Sequence, residues 1–236
     1  MRQIFLQPVI AMFSAARLLF KSRTAMGLTL GAYAGLLTAV YLFVSTREAT
    51  IPQLFLTMAL VVAAPVLFFA LQAISVSYTS GPLSKELLRT CFKVTALTVP
   101  VIGIAALAVY GLSKVDPQVI LATAFRYLLI GVLGPLLAIQ LWVAASSNGR
   151  LLSKLRKVAV KAFAPQSVVV YVCGFLIFAV APYFLITKKI ATERAWLEFS
   201  LLMARLTASA LLILLGWVMT VGAISMLSRG SYSSEK

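Results

Sequence analysis

The sequence has no histidine and only six acidic residues in 236 positions. Without an imidazole it has no usual haem ligand, no histidine general base and no HExxH zinc pair, which excludes most intramembrane hydrolases and acyltransferases. The acids Glu48, Glu86, Asp116, Glu193, Glu198 and Glu235 all fall in expected loops or near helix ends. No carboxylate is therefore expected at mid-span to relay protons or hold a catalytic cation. The two cysteines, Cys91 and Cys173, stand in different segments without a CxxC motif, so neither a zinc site nor a disulfide framework is implied. P-loop, dinucleotide-binding and Gly-x-Ser-x-Gly patterns are also missing. The expectation is a chain that is no enzyme and carries no cofactor, so that any ATP hydrolysis would need a partner.

Charge is scarce too: 11% of residues are charged while 61% are apolar, against roughly a quarter charged in a soluble domain. With a mean hydropathy of +1.00, too little polar sequence is left to cover a water-facing surface. Lipid is the expected solvent. The charges present are lopsided, 21 Lys and Arg giving a net +15. In a chain this apolar that excess points to basic loops on anionic membrane surface rather than to nucleic acid.

A membrane-crossing helix needs about 20 mostly apolar residues. Six segments meet this: Met26–Ser45, Gln53–Val76, Val94–Leu112, Gln118–Ala145, Val168–Ile186 and Trp196–Leu227. The fourth and sixth exceed the bilayer and are expected to tilt or emerge at one end. The links after the first, third and fifth spans are short, and their cations Arg47, Lys114, Lys188, Lys189 and Arg194 are largely offset by Glu48, Asp116 and Glu193. Fourteen cations lie on the other side and two inside spans, so the positive-inside rule puts both termini in the cytoplasm. The apolar run Ile4–Phe13 is interrupted by Gln7 and Pro8 and followed by Arg17, Lys21 and Arg23, the wrong arrangement for a cleaved secretory signal. With no organelle motif, the expected location is the inner membrane of a bacterial cell, crossed several times.

Each basic stretch has helical spacing. Arg150, Lys154, Lys157 and Lys161 form one stripe opposite Leu151, Leu152, Leu155, Ala159 and Ala162. Lys85, Arg89 and Lys93 recur every fourth position, with Leu87, Leu88, Cys91 and Phe92 facing away. Near the N-terminus, Ser14, Arg17, Lys21 and Thr24 share a face opposite Met12, Ala15 and Leu19. The pattern predicts three amphipathic helices in the headgroup plane, each preceding a pair of spans. Similar cores, Arg17-Leu-Leu-Phe-Lys21, Glu86-Leu-Leu-Arg89 and Arg150-Leu-Leu-Ser-Lys154, suggest a threefold repeat over residues 10–78, 82–146 and 149–228. The expected architecture is an all-α single membrane domain of three hairpins, each led by a basic interfacial helix, with a short tail at 229–236.

Candidate functional residues are few. Arg126 and Arg205 lie within spans and are the candidate contacts for an anionic headgroup or substrate, the alternative being that each reaches the outer interface, with Glu198 a partner for Arg205. Arg17, Lys21, Lys85, Arg89, Lys93, Arg150, Lys154, Lys157 and Lys161 are the candidate surface for anionic lipid or a docking partner. Pro65, Pro100, Pro135 and Pro182 predict kinks; Gln72 and Gln140 predict ties between helices. Gly27, Gly31 and Gly35, on one face of the first span, predict a close-packing seam.

An N-terminal interfacial helix, six spans, inward termini and a short cytoplasmic helix after the second span form a layout similar to permease subunits of ABC-type exporters. That resemblance is one of layout alone. It implies a transport-related membrane subunit served by a cytoplasmic ATPase or other membrane subunits. The alternative is a non-transporting scaffold or accessory subunit that binds anionic lipid.

Overall fold

A computed structural model describes residues 2–47, 50–80, 86–114, 120–146, 155–188 and 194–233, and it has no strand among them. The helices are α1 (Arg2–Lys21), α2 (Arg23–Ser45), α3 (Ile51–Ser77), α4 (Glu86–Ser113), α5 (Ile120–Leu128), α6 (Gly134–Ser146), α7 (Leu155–Ala162), α8 (Pro165–Phe175), α9 (Ala181–Thr187) and α10 (Ala195–Ser233). Five-residue π turns, Leu129–Leu133 and Leu176–Val180, join α5 to α6 and α8 to α9.

Six stretches are long and apolar enough to cross a membrane: Arg23–Ser45, Ile51–Ser80, Arg89–Gly111, Thr123–Ser146, Pro165–Thr187 and Trp196–Arg229. Each overlaps one of the six expected segments. Large apolar side chains on all six remain exposed, among them Val44, Phe55, Leu107, Tyr127, Phe184 and Leu211. In water such surfaces would drive aggregation; in lipid they are the ordinary outer face of a spanning helix.

The chain divides into two compact units, Leu18–Ala164 and Met1–Arg17 with Pro165–Lys236. In the first, α2 packs along α3, α3 against α4 and α6, α4 against α6, and α7 against α6. Its core gathers at the C-terminal part of α3 (Phe69, Leu71, Ile74, Val76), at α6 (Leu136, Ile139, Trp142, Val143) and at Val94 of α4. The α7 side contributes Val158 and Ala162. A buried hydrogen bond joins two helices here: the Trp142 indole N–H donates to Thr98 Oγ at 2.7 Å, and Thr98 donates to the Val94 carbonyl at 2.6 Å.

In the second unit α10 packs against α8, α9 and the π turn between them. Two glycines allow the approach. A Cβ on Gly174 would collide with the Thr220 hydroxyl, and one on Gly216 would stand 2.9 Å from Ile177 and 3.1 Å from the Phe178 backbone nitrogen. Edge-to-face rings fill the adjoining space, Phe178 lying 5.3 Å from Trp217 and 5.7 Å from Phe175. Most of α1, as far as Arg17, belongs to this unit, and a 2.7 Å hydrogen bond runs from the Gln166 side chain to that of Gln7.

Three local features differ from the sequence reading. The basic stretch before the third span is not a separate helix: Glu86–Lys93 forms the first turns of α4 and runs unbroken into the span, because no Pro or Gly interrupts positions 86 to 99. The glycine seam of α2 is open, with nothing within 4 Å of a Cβ at Gly27 or Gly31 and only Leu67 beside Gly35. Helix α2 instead buries Ala25, Thr29 and Ala39, an arc displaced from the glycines. The prolines also divide into two kinds. Pro65 and Pro100 lie inside continuous α-helix, whereas Pro135 and Pro182 each sit just after a π turn. Proline lacks an N–H and its ring crowds the carbonyl four residues back; a wider turn relieves both conflicts.

Candidate functional site

Arg205 sits ten residues into α10, half-buried. Its Nε donates to the Leu185 carbonyl at 2.6 Å, and Nη2 donates to the carbonyls of Leu185, Ile186 (3.3 Å) and Lys188. These are the last carbonyls of α9 and its C-cap, which have no partner within their own helix. A guanidinium suits them because it fans several N–H groups from one planar cation toward the negative end of the helix dipole. The expected pairing with Glu198 is not made. Glu198 is exposed near the start of α10, while Arg205 turns to the C-terminal end of α9.

Arg126, in the last turn of α5, belongs to the other unit. It is exposed, flanked by exposed Phe125 and Tyr127, and directly precedes the residue pair that enters the π turn. Its surroundings are those of a surface cation among apolar side chains.

The basic residues separate by environment. Arg17 and Lys21 of α1 are exposed, as is Arg23 at the start of α2; Arg89 is exposed and Lys93 half-buried on α4. On α7, Lys161 is half-buried and engaged in a contact. The placements of Lys85, Arg150 and Lys154, and the side chain of Lys157, lie outside the described residues.

Polar groups inside the spans are used for packing. Gln72 and Gln140 are both buried and both partnered, and Ser75 and Thr220 return their hydroxyls to carbonyls one turn back, at 2.7 and 2.6 Å. The described residues contain no group of three His, Cys, Asp or Glu side chains able to hold a metal ion. Cys91 and Cys173 are both free thiols.

Sequence reasoning missed the Trp142–Thr98 bond, the Gly174–Thr220 contact and the carbonyl partners of Arg205. The first two join residues 44 and 46 positions apart with no local pattern to mark them. The third uses backbone acceptors, which every residue carries.

Six spanning-length helices with exposed apolar flanks define a helical protein of the multi-pass membrane class. Comparison with protein-family models, curated proteins and solved structures gives no match to this chain.

Proposed function

We propose that this chain is an accessory or scaffolding subunit of a larger membrane assembly, without a catalytic site of its own. The observation that carries this reading is the engagement of Arg205. One of the two intraspan cations that could have lined an anion path is spent on the carbonyls of α9. The other is exposed on α5.

In this reading the spans form three hairpins in the inner membrane, and both termini lie in the cytoplasm. Support comes from where two residue types gather. Cations crowd the N-terminal ends of α2 and α4 and the region around α7. Exposed tyrosines lie at the opposite ends, Tyr41 late in α2, Tyr110 late in α4 and Tyr183 late in the fifth span, while exposed Phe13, Phe20 and Phe92 lie near the cations. A gathering of Lys and Arg at the inner ends is what sets orientation, while exposed aromatics mark where a span meets either interface. Arg205 and Arg229 then bracket the hydrocarbon-crossing part of α10. Their 24-residue separation amounts to about 36 Å of helix, against a core of about 30 Å. The first turns of α10, from Ala195 to Ala204, stand outside that core.

A second reading, a transport-related permease-like subunit working with a cytoplasmic ATPase, draws on the π turns. Two successive spans each carry one that ends two residues before a proline, and such irregularities recur where membrane helices bend during function.

Purification from native membrane in mild detergent, with mass spectrometry of what accompanies the chain, tests both. Fixed stoichiometry with another membrane complex is the result expected of an accessory subunit. An ATPase partner would favour transport, and recovery of the chain alone would overturn the subunit reading.

A further inference from the structure

Of the three basic stretches, α1 alone is a separate helix with two cations, Arg17 and Lys21, that are both described and exposed. It ends at Lys21, and the chain turns at Ser22, whose extended backbone (φ −91°, ψ 97°) and hydroxyl cap α2. Arg89 and Lys93, by contrast, lie on turns that continue into a span and therefore sit at successive depths.

Helix α1 has two opposed faces. Pro8, Ala11, Ala15 and Leu19 are buried along one side. At about 100° per residue, Ile10, Phe13 and Arg17 fall on the opposite side, with Phe20 and Lys21 flanking them. Phe13 is 73% and Phe20 56% exposed, unusual for aromatic rings facing water. The exposed face thus changes along the described part of the helix, with Leu6, Val9, Ile10 and Phe13 giving way to Arg17 and Lys21. Gln7 fixes the level at which it lies, since its partner Gln166 is the second residue of α8, at the very start of the fifth span.

We propose that this face of α1, with Arg23 beside it, binds the phosphodiester headgroups of anionic phospholipid. Arg17, Lys21 and Arg23 would meet the phosphates, while Phe13 and Phe20 enter the acyl region next to them, the arrangement in which an interfacial helix gains from both area and charge. The inference deepens the lipid-binding part of the function proposed above and rests on that reading for the leaflet concerned, the cytoplasmic one.

The test uses the purified full chain in a zwitterionic detergent and native mass spectrometry with added dioleoyl phosphatidylglycerol or dioleoyl phosphatidylcholine. Wild-type chain should retain the phosphatidylglycerol in preference, and the preference should fall as ammonium acetate is raised. Removing a surface cation should weaken phosphatidylglycerol retention about fivefold, equivalent to about 1 kcal/mol. The triple variant R17Q/K21Q/R23Q should therefore lose at least tenfold, and R17K/K21R/R23K should bind as wild type. The single variants R17Q and K21Q leave the buried face untouched and keep the test decisive should the triple variant fold poorly. Unchanged phosphatidylglycerol retention in the Gln variants, or no preference over phosphatidylcholine in the wild type, would overturn the proposal. Because the readout needs no partner protein, a chain that purifies alone yet shows this preference would refute the subunit reading and leave the lipid site standing.

Discussion

Replacing Arg205 by Gln should destabilise the protein rather than abolish an anion-binding activity. In the native chain one guanidinium serves the carbonyls of Leu185, Ile186 and Lys188. A hydrogen bond from a charged donor contributes about 1.5–3 kcal/mol when well buried, but Arg205 is half-buried and its outer contacts are exposed. Loss of the whole set should therefore cost about 2 kcal/mol, near the upper end for loss of a helix cap. Arg205→Lys keeps the charge but not the planar fan of donors and should lose about half of that. Unfolding by titrating SDS into the detergent-solubilised chain measures the global effect. Hydrogen exchange measures the local one at the Lys188 amide, which bonds the Phe184 carbonyl at 3.2 Å in the last turn of α9. The Gln variant should exchange there roughly 30-fold faster, the factor matching about 2 kcal/mol. An unfolding free energy within about 0.5 kcal/mol of wild type, the ordinary range for an inconsequential surface change, together with unaltered exchange at Lys188, would refute the capping role.

Gly174→Ala should destabilise by about 2–3 kcal/mol through overpacking, because the new methyl would collide with a Thr220 hydroxyl already held at 2.6 Å from the Gly216 carbonyl; SDS unfolding should show partial recovery in the double variant with Thr220→Ala. In the same assay Gly27→Ala and Gly31→Ala should not destabilise and should gain up to about 1 kcal/mol each from helix propensity, since both positions face open space, and a large loss at either would show that this face packs against something. Trp142→Phe and Thr98→Val should each cost about 1 kcal/mol, and their double-mutant cycle should return a coupling of similar size; additive losses would mean that the 2.7 Å bond contributes nothing. In a background with Cys91 and Cys173 replaced, a cysteine at Phe199 should react with a membrane-impermeant maleimide from the outer face while one at Leu214 should not. Equal protection at both would place the start of α10 inside the bilayer.

Residue composition alone carried the class and the number of spans. Runs such as Ala59–Ala73 and Leu211–Met226 can be accommodated only as helices in lipid, because every backbone polar group must then be satisfied within its own segment. Exposure of Arg17 and Lys21 opposite buried Ala15 and Leu19 was likewise legible, since helical periodicity fixes which residues share a face. Proline positions were readable too, but not that Pro135 and Pro182 would be met by π turns while Pro65 and Pro100 would not; that depends on how each helix packs. The glycine spacing at Gly27 and Gly31 was legible, but no described residue of the chain stands against it, because small residues permit close approach without creating it. The helices meet instead at Gly174 and Gly216, where α8 and its π turn press on α10. For Arg205 the sequence established that a cation lay deep in a long apolar run and therefore needed a partner. Only the folded chain could supply the acceptors, the backbone carbonyls at the end of α9, because their availability depends on where a helix stops beside another and not on which side chains it carries.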